Sequence, residues 1–431
     1  HDQAKNKHDE DLAMITFAKP LPHRTRRHQQ QLTDDDDSPS ADDTTLPESF
    51  LAPYSNTIHY RKSHDDTNHS SSSWIAYGNY AAIPYFYTRR GVVHNHELIT
   101  IVSICDVHLL YESYHVASNY PTGPLSFAIF LDENYQETNL TALGQLMHAN
   151  FENLTVVHDI TVALLAVNQS NAFYTNMYTQ RGFDADTPLS FKIPTNVLRN
   201  LAEAQVSTRW LFNIDIDFWY FSSSLKRKDS VLAIIETMNN IVNDSHYGEN
   251  TVFVVPAFEI LVESSVPFNY SAVSKRHIAD LVYLEEVSPF HVTMNAQRCT
   301  RYKTWYKADS PYVLDHSARC HYAYEPWFIM RSNVSTNSRY QWDNAYIGRG
   351  LNKVERVFKL RHHCFHFVVL HDAFMIHGPA SLVIHHESVS KRQMKTWHAP
   401  NLEIFTETAR QYTLEPGTCV GRKYKFLNEP S

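Results

Sequence analysis

Two aspartates one residue apart, Asp215 and Asp217, follow directly on the apolar run Trp210-Leu211-Phe212-Asn213-Ile214. On an extended chain residues i and i+2 share a face, so the two carboxylates are expected to converge while Ile216 packs behind them. Like charges that close repel unless a positive group sits between or beside them. A divalent cation is the simplest such partner, its shell completed by the oxygens of a phosphate-bearing substrate. The bland alternative for the same residues is an edge strand with two solvated acids.

Elements that can hold such a pair are readable on both sides of it. Leu98–Ile104 reads as a buried strand, Asp106 as the cap of an amphipathic helix to about Asn119, and Leu125–Leu131 as a second strand. A helix over about 136–149 follows, then strands near Thr155–Ile160 and Thr161–Val167. Pro194–Asn200 opens a helix with proline early in its first turn. Another helix is expected over Ser230–Asn243, and a single buried strand over Thr251–Glu259. Alternating strands and helices give an α/β fold with a mostly parallel central sheet and helices on both faces. Ligands of such sheets lie beyond the carboxyl ends of the strands, where Asp215 and Asp217 fall. Residues 270–431 show fewer clean periods and read as loops and short strands over one side of the sheet.

Composition narrows the classes. Residues 1–73 join a basic patch (Arg24, Arg26, Arg27), an acidic run (Asp34 to Asp37) and a serine run (Ser70 to Ser73), and read as a disordered stem. From Trp74 onward one domain is expected, with a first half over about 95–220 and a second over about 221–400. A formal charge of −8 argues against nucleic acid as a partner. The 26 histidines are scattered, which gives metal storage little support. Seven Asn-x-Ser/Thr sites (Asn68, Asn139, Asn153, Asn168, Asn243, Asn269, Asn333) lean towards the secretory pathway. There, of five cysteines, Cys299 and Cys320 are candidates for a bridge that leaves at least one thiol free. No apolar run reaches the ~20 residues of a spanning helix. The chain begins at His1, so a leader or anchor is expected to have been cut away. Nothing in the sequence fixes an oligomeric state.

Several segments, in order, resemble glycosyltransferase family 49, the family of the LARGE-type glucuronyltransferase domain and of β-1,4-glucuronyltransferase. They are Pro194–Asn200, Asp215-Ile216-Asp217-Phe218, Val255-Pro256-Ala257-Phe258-Glu259, Tyr324-Glu325-Pro326 with the apolar strand to Arg331, Asp343–Lys353, and Phe374-Met375-Ile376-His377. The resemblance covers roughly residues 95–400. It implies a GT-A fold with a nucleotide-binding half and an acceptor-binding half. It also implies a metal-dependent inverting transfer from a UDP-sugar to a glycan, with manganese (or magnesium) as cofactor and glucuronate as the expected sugar. A Golgi-lumen, type II setting comes with it. UDP-xylose or a UDP-N-acetylhexosamine remains an alternative donor, and a non-catalytic carbohydrate-binding relative is the rival from another class.

On this resemblance Asp215 and Asp217 hold the metal and His377 is the third ligand. Read alone, His377 is better explained by an ordinary half-buried imidazole. The neighbouring His362, His363, His366, His371, His385 and His386 match no zinc spacing. Asn196 and Arg199, one helical turn apart, are candidates for the uridine or diphosphate side. An inverting transfer needs a base; Glu325 is the first candidate, Asp343 the second and Glu259 the third, each with a structural salt bridge as its alternative. Lys353 or Arg349 is suited to a uronate carboxylate by charge. The family's Gly-Phe-Gly-Trp is here Gly348-Arg349-Gly350-Leu351, which leaves donor and acceptor identity open.

Overall fold

Runs of β-branched and aromatic residues broken by turn residues set the strands of the computed structural model. It describes residues 75–414 except 78–79, 90–95, 121, 132–137, 153–158, 168–180, 182, 184–186, 188, 246, 262–272, 292–295, 315–323 and 379–390. The expected stem and the sites Asn68, Asn153, Asn168 and Asn269 therefore lie outside the described residues. So does most of the strand expected over Thr155–Ile160. All described residues belong to the compact unit Ser55–Ser431. Among them no helix is long and apolar enough to cross a membrane.

The strands are β1 (Ile75–Tyr77), β2 (Tyr80–Arg89), β3 (Ile99–Asp106), β4 (Leu125–Leu131), β5 (Ile160–Val167), β6 (Trp210–Asn213) and β7 (Phe218–Phe221). They continue as β8 (Thr251–Val255), β9 (Ala257–Ile260), β10 (Val287–Pro289), β11 (Tyr312–Val313), β12 (Trp327–Arg331), β13 (His366–Val369) and β14 (Met375–His377). The main sheet has the order β1-β2-β5-β4-β3-β6-β12-β8-β13-β11. Within its run β5-β4-β3-β6-β12-β8-β13 only β12 opposes the others. A second sheet has the order β10-β9-β14-β7.

The principal helices are α1 (Leu110–Asn119), α2 (Thr138–Glu152), α3 (Thr195–Glu203), α4 (Lys228–Asn243), α5 (Lys275–Tyr283), α6 (Asn352–His362) and α7 (Lys391–Leu414). Strand alternation sorts the core into two layers. Ile99, Ile101, Phe127, Ile129 and Phe253 pack with Val116 of α1, Met147 of α2 and Ile235 of α4. Val102, Ala128, Phe130 and Val254 pack with Leu198 of α3, Ile278 of α5 and Leu360 of α6. Helices thus cover both faces, as expected.

Two expectations change. The strand expected over Thr251–Glu259 is two strands in different sheets. Pro256 has no N–H to give a ladder, and its carbonyl accepts from Met375 N at 3.0 Å as the chain crosses to the second sheet. The region after residue 270 is not a cover of loops: β12 and β13 lie inside the main sheet, and α6 packs on it. Its periodicity is hidden because the buried positions of α6 include Glu355, Arg356, Arg361 and His362 beside Val354, Val357 and Leu360.

Candidate functional site

The Asp215–Asp217 pair is in a turn, not on an extended strand. Ile214 N still donates to Val102 O at 2.9 Å, prolonging the parallel pairing of β6 with β3. Phe218 N then donates to Asp215 O at 3.2 Å, and β7 begins in the second sheet. The switch between sheets forces the turn, and Ile216 is buried behind it as expected. The pair stands at the carboxyl ends of β3 and β6, where α/β sheets place ligands.

The structure brings His377 to this turn. It closes β14, whose strand pairs with β7 on one side and β9 on the other. His377 Nε2 lies 2.9 Å from Asp217 Oδ2, and its Nδ1 lies 2.7 Å from Gly378 O. Gly378 N donates to Asp217 O at 2.7 Å, so one backbone segment holds both residues. A Cβ on Gly378 would stand 2.7 Å from the Trp219 ring, which fixes glycine there. Burial lowers the His377 pKa, but the Asp217 carboxylate more than offsets this, by charge and by hydrogen bond, and the net direction is up.

Asp215 has different company. Its Oδ2 accepts from Lys353 Nζ at 2.6 Å and its Oδ1 from Arg199 at 3.3 Å. Burial pushes its pKa up, but Lys353 and then Arg199 more than offset this and hold it near about 2. Lys353 also stands 4.4 Å over the Trp327 ring. Among the described residues no group of three His, Cys, Asp or Glu side chains is gathered as a metal shell, because Asp217 and His377 face each other and Asp215 faces two cations. Two features nevertheless suit a cation. Asp217 Oδ1 is buried and has no hydrogen-bond partner among the described residues. A proton on His377 Nδ1, donated to the Gly378 carbonyl 2.7 Å away, is the usual outer support of a metal-bound imidazole; Nε2, which donates to Asp217 Oδ2 while protonated, would offer its lone pair to a cation once that proton leaves.

The remaining candidates divide. Glu325 lies at the entry to β12; burial raises its pKa, opposed by Lys353, and the Asp215 charge adds to the rise. It therefore belongs to the same electrostatic cluster. Asp343 Oδ1 instead accepts from Ala345 N at 2.9 Å, a local turn bond. Glu259 pairs in register with His377, and its Oε1 accepts from Ser288 Oγ at 3.2 Å and His291 N at 3.1 Å. Asn196 is fully buried, accepting from Arg199 at 3.2 Å and donating to Asp343 O at 2.9 Å. It orients Arg199 and does not face a ligand space. Arg349 is exposed on a loop whose carbonyls at Ile347, Arg349 and Gly350 all accept from Asn401 Nδ2 of α7, at 3.0, 3.1 and 3.1 Å.

Two neighbours escaped sequence reasoning. Glu112, buried in the first turn of α1, accepts from Trp219 Nε1 and feels the charges of Asp217 and His377; burial raises its pKa to about 7. His291 stacks on Phe290 at 3.9 Å, and that packing, then Lys353 and His377, holds its pKa down to about 4. Neither residue lies in a motif. Cys299 and Cys364 are disulfide-bonded and Cys105 is free and buried; Cys320 lies outside the described residues.

The sheet carries an acidic turn and a histidine together at its carboxyl edge, and comparison with known proteins places the chain in a family. Residues 98–412 match the family described as glycosyl-transferase for dystroglycan, and the chain belongs to that family. It is 27% identical over 309 residues to xylosyl- and glucuronyltransferase LARGE2 of Mus musculus, covering 71% of this chain and 35% of that one. To LARGE1 of Homo sapiens it is 29% identical over 188 residues, 43% of this chain and 22% of that one. The chain thus spans about a third or less of the length of these relatives. A solved structure of GalNAc-T7 with UDP, GalNAc and Mn2+ matches at 10% identity and a TM-score of 0.30, over 73% of this chain and 50% of that one, too loosely to carry weight.

Proposed function

We propose that the chain is a metal-dependent inverting glycosyltransferase that moves a sugar, glucuronate first, from a UDP-sugar to a glycan acceptor in the Golgi lumen. The observation that carries this reading is the meeting of Asp217, with its unpartnered Oδ1, and His377, with Nδ1 fixed on a backbone carbonyl, beside Asp215. Asp215, Asp217 and His377 are the residues to hold manganese (or magnesium). When bound, the ion supplies Lewis-acid stabilisation of charge on the departing diphosphate.

The protein's own residues account for the rest. Lys353 and Arg199 place two cations beside Asp215, suited to diphosphate oxygens or a uronate carboxylate. Glu325, with its raised pKa in the same cluster, takes the proton of the attacking acceptor hydroxyl. The new bond forms at the anomeric carbon as the bond to the diphosphate breaks on the opposite face. Arg349, exposed on its clamped loop, is a second cation for an anionic sugar. The names of LARGE1 and LARGE2 include both xylosyl and glucuronyl transfer, so the decisive experiment is a panel of UDP-sugars assayed for UDP release, with manganese and with EDTA. Release from UDP-glucuronate alone, abolished by EDTA, is the expected result. Release from UDP-xylose only overturns the donor assignment, and release that EDTA does not affect overturns the metal site.

A further inference from the structure

α3 carries Asn196, Arg199, Asn200 and Glu203 at i, i+3, i+4 and i+7, and all four are buried. A buried stripe at that spacing is ordinarily apolar, and Val197, Leu198 and Leu201 of the same helix do pack on the sheet. The polar stripe converges on Trp342. Asn200 holds the Trp342 backbone from both sides, donating to its carbonyl at 2.8 Å and accepting from its N–H at 3.2 Å. Glu203 Oε1 accepts from the Trp342 indole at 2.7 Å. The guanidinium of Arg199 stands 4.4 Å over the ring and that of Arg356, from α6, 4.3 Å over it. Arg356 returns to Glu203 at 2.7 and 3.2 Å and donates to Ser335 at 2.6 Å.

Two routes run from this cluster to Asp215. One is Arg199 itself, 3.3 Å from the carboxylate. The other is Asn213, the last residue of β6, whose Nδ2 donates to Glu203 Oε1 at 3.1 Å two residues before Asp215. The second ends directly on Glu203, and the first reaches it through the Trp342 ring that Glu203 tethers; Glu203, like Arg356, is only 1% exposed. A buried ion pair of this kind is seldom more stable than apolar residues of the same volume, so stability alone does not account for it. Orientation does: a planar guanidinium laid on a ring whose backbone and indole are both tethered has little freedom to turn away from Asp215.

We propose that Trp342, Glu203 and Arg356 are positioning residues that set Arg199 and the end of β6, and through them the Asp215 carboxylate. The proposal rests on reading Asp215 as part of the metal–nucleotide site.

The test uses UDP binding by calorimetry across a manganese series, with kcat and acceptor KM measured alongside. Trp342→Leu is expected to raise the manganese concentration for half-maximal binding about tenfold or more, the range typical of outer-shell supports, and to lower kcat with acceptor KM unchanged. Trp342→Phe keeps a ring under Arg199 and is expected to recover most of that loss. Glu203→Gln keeps the size and the indole contact but discharges Arg356's partner, and is expected to cost about tenfold; it carries the test if Trp342→Leu does not fold. A folded Trp342→Leu or Glu203→Gln protein with an unchanged manganese requirement overturns the proposal. If the unmodified protein binds UDP equally with manganese and with EDTA, the functional reading is what fails. The positioning claim is then decided by urea unfolding of Trp342→Leu, Asp215→Asn and the double variant. A double-variant fold-change in the unfolding constant equal, within about twofold, to the product of the single-variant fold-changes overturns it, and a larger departure supports it.

Discussion

Glu112 is the place where the charge layout makes a counterintuitive demand. Its pKa is raised from 4.5 to about 7, first by burial, with the Asp217 charge adding to the rise against the hydrogen bonds from Tyr111 and Trp219 and the charge of His377. The unfolded chain releases this proton near the ordinary value while the folded chain keeps it, so between those pH values the native state binds one more proton. Stability then falls by about 1.4 kcal/mol for each pH unit climbed, and the full cost, ~3 kcal/mol, is present above pH 7. Glutamine at this position can still accept from the Trp219 indole and has no charge to bury. Glu112→Gln should therefore match the parent near pH 4.5 and exceed it by up to ~3 kcal/mol near pH 8. Urea unfolding followed by tryptophan fluorescence, with EDTA present throughout, measures the difference at each pH. Groups titrating alike in both proteins cancel. A difference that is the same at pH 5 and pH 8, or that favours the parent at pH 8, refutes the reasoning.

Asp217→Asn should leave the fold intact and lower turnover by about 100-fold or more, as loss of an electrostatic stabiliser does; unchanged turnover removes the metal site from the account. Asp215 has a pKa depressed from 3.8 to about 2, so its stabilisation is complete above the unfolded value and is lost as pH falls through the folded one. That displacement corresponds to roughly 2 kcal/mol, reduced to ~1 kcal/mol because the side chain is 31% exposed. Asp215→Asn should therefore be less stable than the parent at pH 7, with most of the difference gone by pH 2, read by thermal melts across that range. Gly378→Ala drives a Cβ to 2.7 Å from Trp219 and should cost ~1–3 kcal/mol together with most of the manganese-dependent UDP binding. A melting temperature and a manganese requirement equal to the parent's would show that the segment gives way freely. Manganese alone should raise the melting temperature little, and manganese with UDP much more; equal protection by the ion alone would contradict the charge balance at Asp215.

The acids were legible because residue type carries their chemistry; the turn they occupy was not, since it arises from a switch between two sheets that only long-range pairing defines. Strands β3 and β4 announced themselves as unbroken apolar runs. The split at Pro256 was signalled by the proline itself, but the apolar residues on both sides of it, Thr251–Val255 and Ala257-Phe258, read as one segment. α6 was hidden for a different reason: Glu355, Arg356, Arg361 and His362 occupy positions that periodicity expects to be apolar. Glu203 and Trp342 were invisible as a pair, because 139 residues separate two atoms that lie 2.7 Å apart. Sequence patterns report local period and residue chemistry; a charge network strung between distant helices has neither signature.

That network also bears on how a cation would enter. Asp215 is already balanced by Lys353 and Arg199, whereas among the described residues Asp217 has only His377 and keeps one oxygen unpartnered. A bare dication approaching Asp215 meets two positive groups within hydrogen-bond reach of its intended ligand. A dication carried by a diphosphate brings the negative charge that those groups favour. Lys353 Nζ, 2.6 Å from Asp215 Oδ2, then has an alternative partner of its own kind, a phosphate oxygen in place of a carboxylate. On the proposed reading, charge complementarity would favour a metal–nucleotide unit over the ion alone.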